Sequence, residues 1–383
     1  MYDYIIIGGG PCGLVSSYYL SQKGYKVLLL ERESVLGGCH RVINNDENLH
    51  MEHSPRIYPS SFYNFFNFLE KELDIKKYET FITSTFQLYS MEAIKLMLKM
   101  NNYDILKLSY GFIKNNIIQI KFPSTYTMKN FVEEYNFKSN SIEVINNICN
   151  LIDGGDIDKT LLSTFMEAID KLSLYKILEP NKPLDKLIFN KFQDKLIKQN
   201  VEIYVDTEVI KIDKVNNNYK IYTKNDNYLC NKLLFAIPPF AINKIENAVE
   251  FLGYNNNLYS EWSNYNLYKD YISFTFEFDT QLENTFNKWG GIQEHIWGEM
   301  FIDMSHYFQN QKGSLIIMTI SNLDEIDPET NKTPHQMNRT ELIEKVKNIL
   351  LNKLNTTIQP IKYNMYPSIK KLIINGLNLI NHS

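Results

Sequence analysis

The sequence predicts an α/β chain in two parts, a βαβ domain with a parallel sheet and a second, α+β domain of antiparallel sheet and helices. Three observations predict it. Residues 1–41 read strand, glycine turn, helix, strand, acid. Residues 201–236 read as a short strand followed by three strands joined by Asn-rich turns. Beyond Phe240 the apolar pattern turns to alternation, then to a long amphipathic helix.

The first part opens on an apolar, β-branched strand at residues 4–7. Gly8, Gly10 and Gly13 then form G-x-G-x-x-G, a helix runs over 12–23 until Gly24, and a buried strand at 25–30 ends in Glu31. This is the Rossmann-type dinucleotide-binding pattern, with the acid roughly 20 residues beyond the glycines. Gly8 allows the tight turn, Gly10 lets a pyrophosphate approach the backbone, and Gly13 lets the helix pack on the strand. The helix N-terminus, at Pro11 and Cys12, offers free N–H groups and a partial positive charge to phosphate. Glu31, with Arg32 beside it, is placed to accept the hydroxyls of a ribose.

Composition bounds the alternatives. The 383 residues suffice for two domains with a sizeable core. Net charge is −4, with 40 basic and 44 acidic residues mixed along the chain, which argues against a nucleic-acid partner. The cysteines, Cys12, Cys39, Cys149 and Cys230, are too far apart for a zinc site or a disulfide framework. A reducing compartment, intracellular and cytoplasmic, is the simpler reading. No apolar run reaches membrane-spanning length, and the N-terminus, with Asp3 and no basic stretch, reads as a strand and not a signal peptide. The seven histidines show no metal-ligand spacing, so no metal is expected.

Further along, Phe62, Phe65, Phe66 and Leu69 mark one face of a helix over 60–73 that reads as core. Residues 91–187 are mostly helical, with Ala93, Leu96, Met97 and Met100 on one face and Leu162, Phe165, Met166, Ile169 and Leu172 on another. Residues 117–122 read as a short strand, and Gly154-Gly155-Asp156 as a loop. A helix over 184–198 turns Leu187, Ile188, Phe192 and Leu196 inward before the strands. In the second part, Ile272, Phe274, Phe276 and Phe278 alternate in a half-buried strand. Strands follow at 298–304 and 314–321, a surface loop at 323–337 and a helix at 340–354. The expected partition is 1–85 with 185–250 for the first domain, and 86–184 with 251–383 for the second.

After Glu31 the run Arg32 to Arg41 contains Gly37-Gly38-Cys39, and here the chain resembles the flavin amine oxidase and protoporphyrinogen oxidase superfamily. The resemblance implies FAD as cofactor, with Gly37 and Gly38 along its pyrophosphate. Cys39 stands where the family commonly has arginine, and Arg41, two residues on, is the candidate phosphate contact. Residues 52–58 resemble the next family element, entering the flavin site at His53, with Ser54 where glycine is usual. His53 reads equally as a core or surface histidine. Glu208-Val209-Ile210 resembles the piece whose backbone meets adenine, and Phe235-Ala236-Ile237-Pro238-Pro239 the strand that returns beside the first. Lys269 resembles the family lysine that holds a water near the flavin, against the plainer reading of a solvated lysine. Trp262, Trp289 and Trp297 read as packing or as pocket aromatics. The family closes its site with a strand ending in Gly-Asp, and residues 375–383 contain no such pair.

The implied activity is FAD-dependent oxidation of a small-molecule substrate, by hydride transfer from a C–H next to nitrogen or a porphyrinogen-like C–H. Two alternatives stand beside it: a non-redox flavin mutase resembling UDP-galactopyranose mutase, and an inactive nucleotide- or partner-binding relic of the fold.

Overall fold

A computed structural model describes the chain except residues 45–48, 54–55, 85–96, 121, 124, 154, 174, 253–267, 283–294, 308–312, 368–369 and 374–383. Its contacts divide it into two compact units. The first takes in Met1–Ile43, Asn64–Thr80 and Lys182–Asn266; the second takes in Asn44–Tyr63, Phe81–Asn181 and Leu267–Ser383.

The first unit is built on one six-stranded sheet. Strands β1 (Tyr2–Ile7), β2 (Val27–Leu30) and β3 (Glu202–Tyr204) pair in parallel through a central β2. The meander β4 (Val209–Val215), β5 (Asn218–Thr223) and β6 (Asn227–Phe235) is antiparallel, and β6 returns alongside β1 in parallel, Ile7 opposite Phe235. The sheet order is β3-β2-β1-β6-β5-β4. Ile5, Leu28, Ile212 and Ile221 are fully buried in its core, consistent with strands covered on both faces. Helix α1 (Pro11–Gln22) buries Leu14 and Tyr18, and the Tyr18 ring meets Phe68 and Phe192 edge-on. Those two rings belong to α2 (Tyr63–Leu73) and to the helix Asn190–Lys198, which a π-helical turn, Asp185–Phe189, precedes. Leu187, Ile188, Phe192 and Leu196 are buried as their spacing predicts. Helix α2 starts at Tyr63, later than the sequence suggests, and Phe62 is 40% exposed outside it.

The second unit has an antiparallel sheet around β7 (Tyr268–Phe278), which pairs with β9 (Ser314–Ile320) on one side. Strand β8 (Met300–Asp303) extends the sheet beyond β9, and β10 (Lys362–Met365) and β11 (Lys370–Ile373) pair with β7. Ile272, Phe274, Phe276 and Phe278 lie in a core with Trp297 and the inner face of Arg339–Leu354, a helix that starts at its Asn338 cap. Trp297 is therefore a packing residue, its indole N–H donating to the Glu325 carbonyl at 3.0 Å. The half-buried reading of β7 is overturned. Its other face, Tyr271, Ser273 and Thr275, is buried too, because the strand His50–Glu52 lies over it and the Ser273 hydroxyl donates to the Glu52 carbonyl. A period of two reports polarity, and here the polar face is covered by chain distant in sequence.

The helices of this unit pack around Phe131, Ile145, Leu162 and Phe165. The reading of 117–122 as a strand is overturned: Ile113–Ile117 is a π-helical turn continuing Asn102–Phe112, and no strand occurs among the described residues of that stretch. A strand at Ile177–Pro180, inside the span read as helical, pairs with Phe81–Thr83 and Tyr58–Pro59. The 323–337 loop is anchored rather than free, since Asp327 is 1% exposed and holds Lys345 at 3.0 Å. Ala93, Leu96, Trp262, Trp289, Ser54, Gly154 and residues 375–383 lie outside the described residues.

Candidate functional site

At the carboxyl end of β1 the chain turns through Gly8-Gly9-Gly10 into α1. Gly10 is the N-cap, no side chain caps the first turn, and no acid stands in it. The helix therefore presents uncapped N–H groups at Cys12 and Gly13, with Pro11 and Cys12 exposed. A Cβ on Gly13 would lie 1.9 Å from the Gly8 carbonyl oxygen, so glycine alone lets helix and strand approach this closely. The second glycine turn docks on the first. The Gly37 N–H donates to the Gly9 carbonyl at 2.9 Å, and Gly38, at φ +56°, brings its Cα against Gly10 so that a Cβ would sit 2.9 Å away.

Gly10 differs from these. Its backbone, φ −75° and ψ 178°, suits any residue, and a Cβ there would meet only the Gly38 Cα, at an ordinary 3.6 Å. Nothing in the protein's own packing requires glycine at this position. Without a side chain there, the backbone at Gly10 stays open to close approach.

Glu31 closes the deep side of the turn. It is 7% exposed, accepts the Gly9 N–H at 2.6 Å and the Glu33 N–H at 2.9 Å, and has no ion-pair partner among the described residues. Backbone hydrogen bonds tie it to the segment after β3: Glu31 N–H to Tyr204 O at 2.9 Å, and Thr207 N–H to Glu31 O at 2.8 Å. That segment leads directly into buried Val209. Arg41 is 5% exposed and paired with Glu33 at 3.0 Å, while Arg32, on the surface, meets the same carboxylate at 3.3 Å. Cys39 is exposed beside the Gly38 turn. Gly8, Gly10, Pro11, Cys12, Gly13, Glu31, Arg32, Gly37, Gly38, Cys39, Arg41 and Val209 thus all belong to the first unit.

His53 and Lys269 belong to the second. The Tyr271 hydroxyl lies 2.5 Å from His53 Nδ1, and the Arg56 guanidinium 3.3 Å from the same nitrogen. Lys269, on β7, has its pKa lowered by burial and then by the nearby Lys159 ammonium, which favour the neutral amine. Near them is a buried polar cluster. Glu52 is 2% exposed, with Oε1 3.1 Å from His50 Nε2 and Oε2 without a hydrogen-bond partner among the described residues. The Tyr307 hydroxyl, buried beside it, also lacks a well-formed hydrogen bond, and burial with the Glu52 charge raises its pKa. Glu179 accepts the Ser84 hydroxyl, and burial pushes its carboxyl up to about 7. His306 Nε2 lies 2.9 Å from the Pro180 carbonyl, which only accepts, so that nitrogen carries the proton; burial lowers the ring's pKa.

Sequence reasoning missed Glu33, Tyr271, Tyr307 and Glu179. Nothing local marks them: an acid, two tyrosines and a glutamate in a short strand carry no spacing signal. Only the period-two position of Tyr271, opposite the Ile272 face, points to a covered polar face.

A family model described as an NAD(P)-binding Rossmann-like domain matches residues 6–71. Among curated relatives, a UDP-galactopyranose mutase from Mycoplasma pneumoniae is 30% identical over 80 residues, 20% of either chain. The chain spans no more than a fifth of the length of the curated relatives it matches first. Solved structures match nearly throughout. A putative protoporphyrinogen oxidase from Exiguobacterium sp. 255-15 superposes with a TM-score of 0.64 at 14% identity, over 97% of this chain and 86% of that one. Cyclohexylamine oxidase from Brevibacterium oxydans IH-35A does so with a TM-score of 0.65 at 12% identity, over 98% and 88%. The chain therefore shares the fold of these solved oxidases, a Rossmann-like sheet with a second, antiparallel unit.

Proposed function

We propose that the chain is an FAD-dependent oxidoreductase that removes hydride from a carbon next to nitrogen, or from a porphyrinogen-like C–H, of a small organic substrate. The observation that carries this is Gly10, the loop glycine that neither packing nor backbone angle explains. A diphosphate against Gly10 would also face the Gly37–Gly38 turn and the uncapped start of α1, where N–H groups and the helix dipole favour anions. Glu31 retains lone pairs for the ribose hydroxyls beyond the two N–H groups it already accepts. Val209 would offer its backbone to adenine, and Arg32 the charge nearest the solvent end. Arg41, held by Glu33, fits better as a strut of the second glycine turn than as a free phosphate contact. No acidic residue lies in the first turn of α1 to oppose them. The residues present therefore fit a dinucleotide.

Bound FAD would supply the hydride acceptor. The chain's own residues would bind and orient. In the second unit, Lys269 in its neutral form accepts a hydrogen bond from water or a proton from a substrate ammonium. His53, braced by Tyr271, accepts the Arg56 guanidinium at Nδ1 and so carries its proton at Nε2. The oxidases that share the fold support the redox reading. The 80-residue likeness to the mutase favours a second one, flavin binding without net oxidation.

The test is spectroscopic. Purified protein is expected to be yellow with one FAD per chain, and an amine or porphyrinogen substrate is expected to bleach the flavin band under anaerobic conditions. A colourless protein that takes up no added FAD overturns both flavin readings. Stoichiometric flavin that bleaches with none of these, in a protein that isomerises a sugar nucleotide without net oxidation, selects the mutase reading.

A further inference from the structure

Two of the four cysteines are exposed, and both stand on the glycine turns of the first unit. Cys12 is the second residue of α1, just past the first turn. Cys39 is the middle residue of the one-turn 3-10 helix Gly38–His40, at the second. Cys149 and Cys230 are buried, and burial pushes the Cys230 thiol up to about 12. The thiolate is the species that reacts with oxidants, so a buried thiol held protonated is inert where an exposed one is open to attack.

The docking of the two turns draws the exposed pair together. Its contacts step along both segments in the same direction. The Gly37 N–H reaches the Gly9 carbonyl at 2.9 Å, a Cβ on Gly38 would meet the Gly10 Cα at 2.9 Å, and the same Cβ would touch the Pro11 ring at 3.7 Å. Cys12 follows Pro11 and Cys39 follows Gly38, so each cysteine is the next residue after a contact. Gly38 has no side chain to stand between them. Both cysteines are present as thiols. The open backbone of Gly10 belongs to the same pair of turns.

We propose that Cys12 and Cys39 are a thiol pair that hydrogen peroxide oxidises to a disulfide within the chain, pinning the second glycine turn across the first and closing the Gly10 backbone to a diphosphate. In the first step one thiolate attacks a peroxide oxygen, the O–O bond breaks, and the sulfur becomes a sulfenic acid while the departing hydroxide takes up a proton as water. In the second the other thiolate attacks that sulfur, the S–O bond breaks, and a further water leaves. Each sulfur gives up one electron, and the peroxide oxygens receive both. Where thiols are otherwise kept reduced, such a bond is transient and reports on oxidant. The disulfide stands on the placement of the cysteines; its effect on a cofactor rests on the dinucleotide reading.

Thiol titration and peptide mass mapping of the full chain test it. The native reduced protein is expected to show two titratable thiols and the denatured protein four. Hydrogen peroxide at low molar excess is expected to remove both native thiols together and to yield a linked Cys12–Cys39 peptide from monomeric chain, with dithiothreitol restoring both. Cys12→Ser and Cys39→Ser are each expected to abolish the link, leave the remaining cysteine as a sulfenic acid that dimedone traps, and keep the thermal melt, since both side chains are exposed. The linked wild type is expected to bind FAD roughly tenfold or more weakly than the reduced protein. The proposal is overturned if no linked peptide forms, if the link joins separate chains, or if linked and reduced protein bind FAD alike. A reduced protein that takes up no FAD fails the dinucleotide reading instead, and the linked peptide then decides the disulfide by itself.

Discussion

Glu179 sits in a short strand with 4% of its surface exposed, its carboxyl accepting the Ser84 hydroxyl under a cover of apolar chain. Burial raises its pKa to about 7, and Asp303 adds to the effect. The native state therefore binds this proton more tightly than the unfolded chain does. The resulting stability is complete below the ordinary carboxyl pKa and is lost as pH rises through about 7, amounting to about 3 kcal/mol at most. Glu179→Gln keeps an oxygen for Ser84 and has no charge to bury. Urea unfolding of this variant is expected to show greater stability than the wild type at pH above 7, and a flatter dependence below it. A wild type whose stability rises from acid to neutral pH by the same amount as the variant's would show that the carboxyl is not buried as described. Position, not residue type, sets this chemistry, and the same holds for Lys269, an ordinary lysine in sequence whose burial favours the neutral amine.

Among elements, the two glycine turns illustrate how function and packing separate. The second turn is locked to the first by the Gly37–Gly9 hydrogen bond, and Gly38 is required there because its left-handed backbone and its contact with Gly10 leave no room for Cβ. Gly38→Ala is expected to destabilise the first unit by about 1–3 kcal/mol and to weaken FAD binding. Gly10→Ala is expected to leave the melting of the FAD-free protein unchanged and to weaken FAD binding tenfold or more, a ratio read by flavin fluorescence titration. Equal effects of both variants on the FAD-free melt would refute the assignment of Gly10 to a ligand. The sequence shows both turns, because glycine patterning is local. It does not show the strand at Ile177–Pro180, whose pairing partners lie at Tyr58–Pro59 and Phe81–Thr83, far away in the chain. It misleads at 117–122, where the isoleucines that suggest a strand are the exposed end of a helical run.

For the whole molecule, a ligand that binds only the native state raises stability by mass action. FAD at a hundredfold excess over its dissociation constant is expected to add about 2.7 kcal/mol. The consequence is an upward shift of a few degrees in the transition that reports on the first unit, followed by scanning calorimetry with and without FAD. With two compact units, that transition need not coincide with the second one's. A first-unit transition that is indifferent to saturating FAD counts against the cofactor.

The strands of the βαβ unit, the glycine turns, the acid at the end of β2 and the meander are all determined by the sequence alone, because each rests on local periodicity or on a residue type that only one backbone geometry demands. The return of β6 beside β1, inferred from resemblance, is realised at Ile7 and Phe235. What only the tertiary structure decides is which polar groups lose water. Glu52, Tyr271, Glu179 and Tyr307 are unremarkable in the chain and become a buried cluster because segments some two hundred residues apart cover one another, and desolvation depends on that covering rather than on any neighbour in sequence.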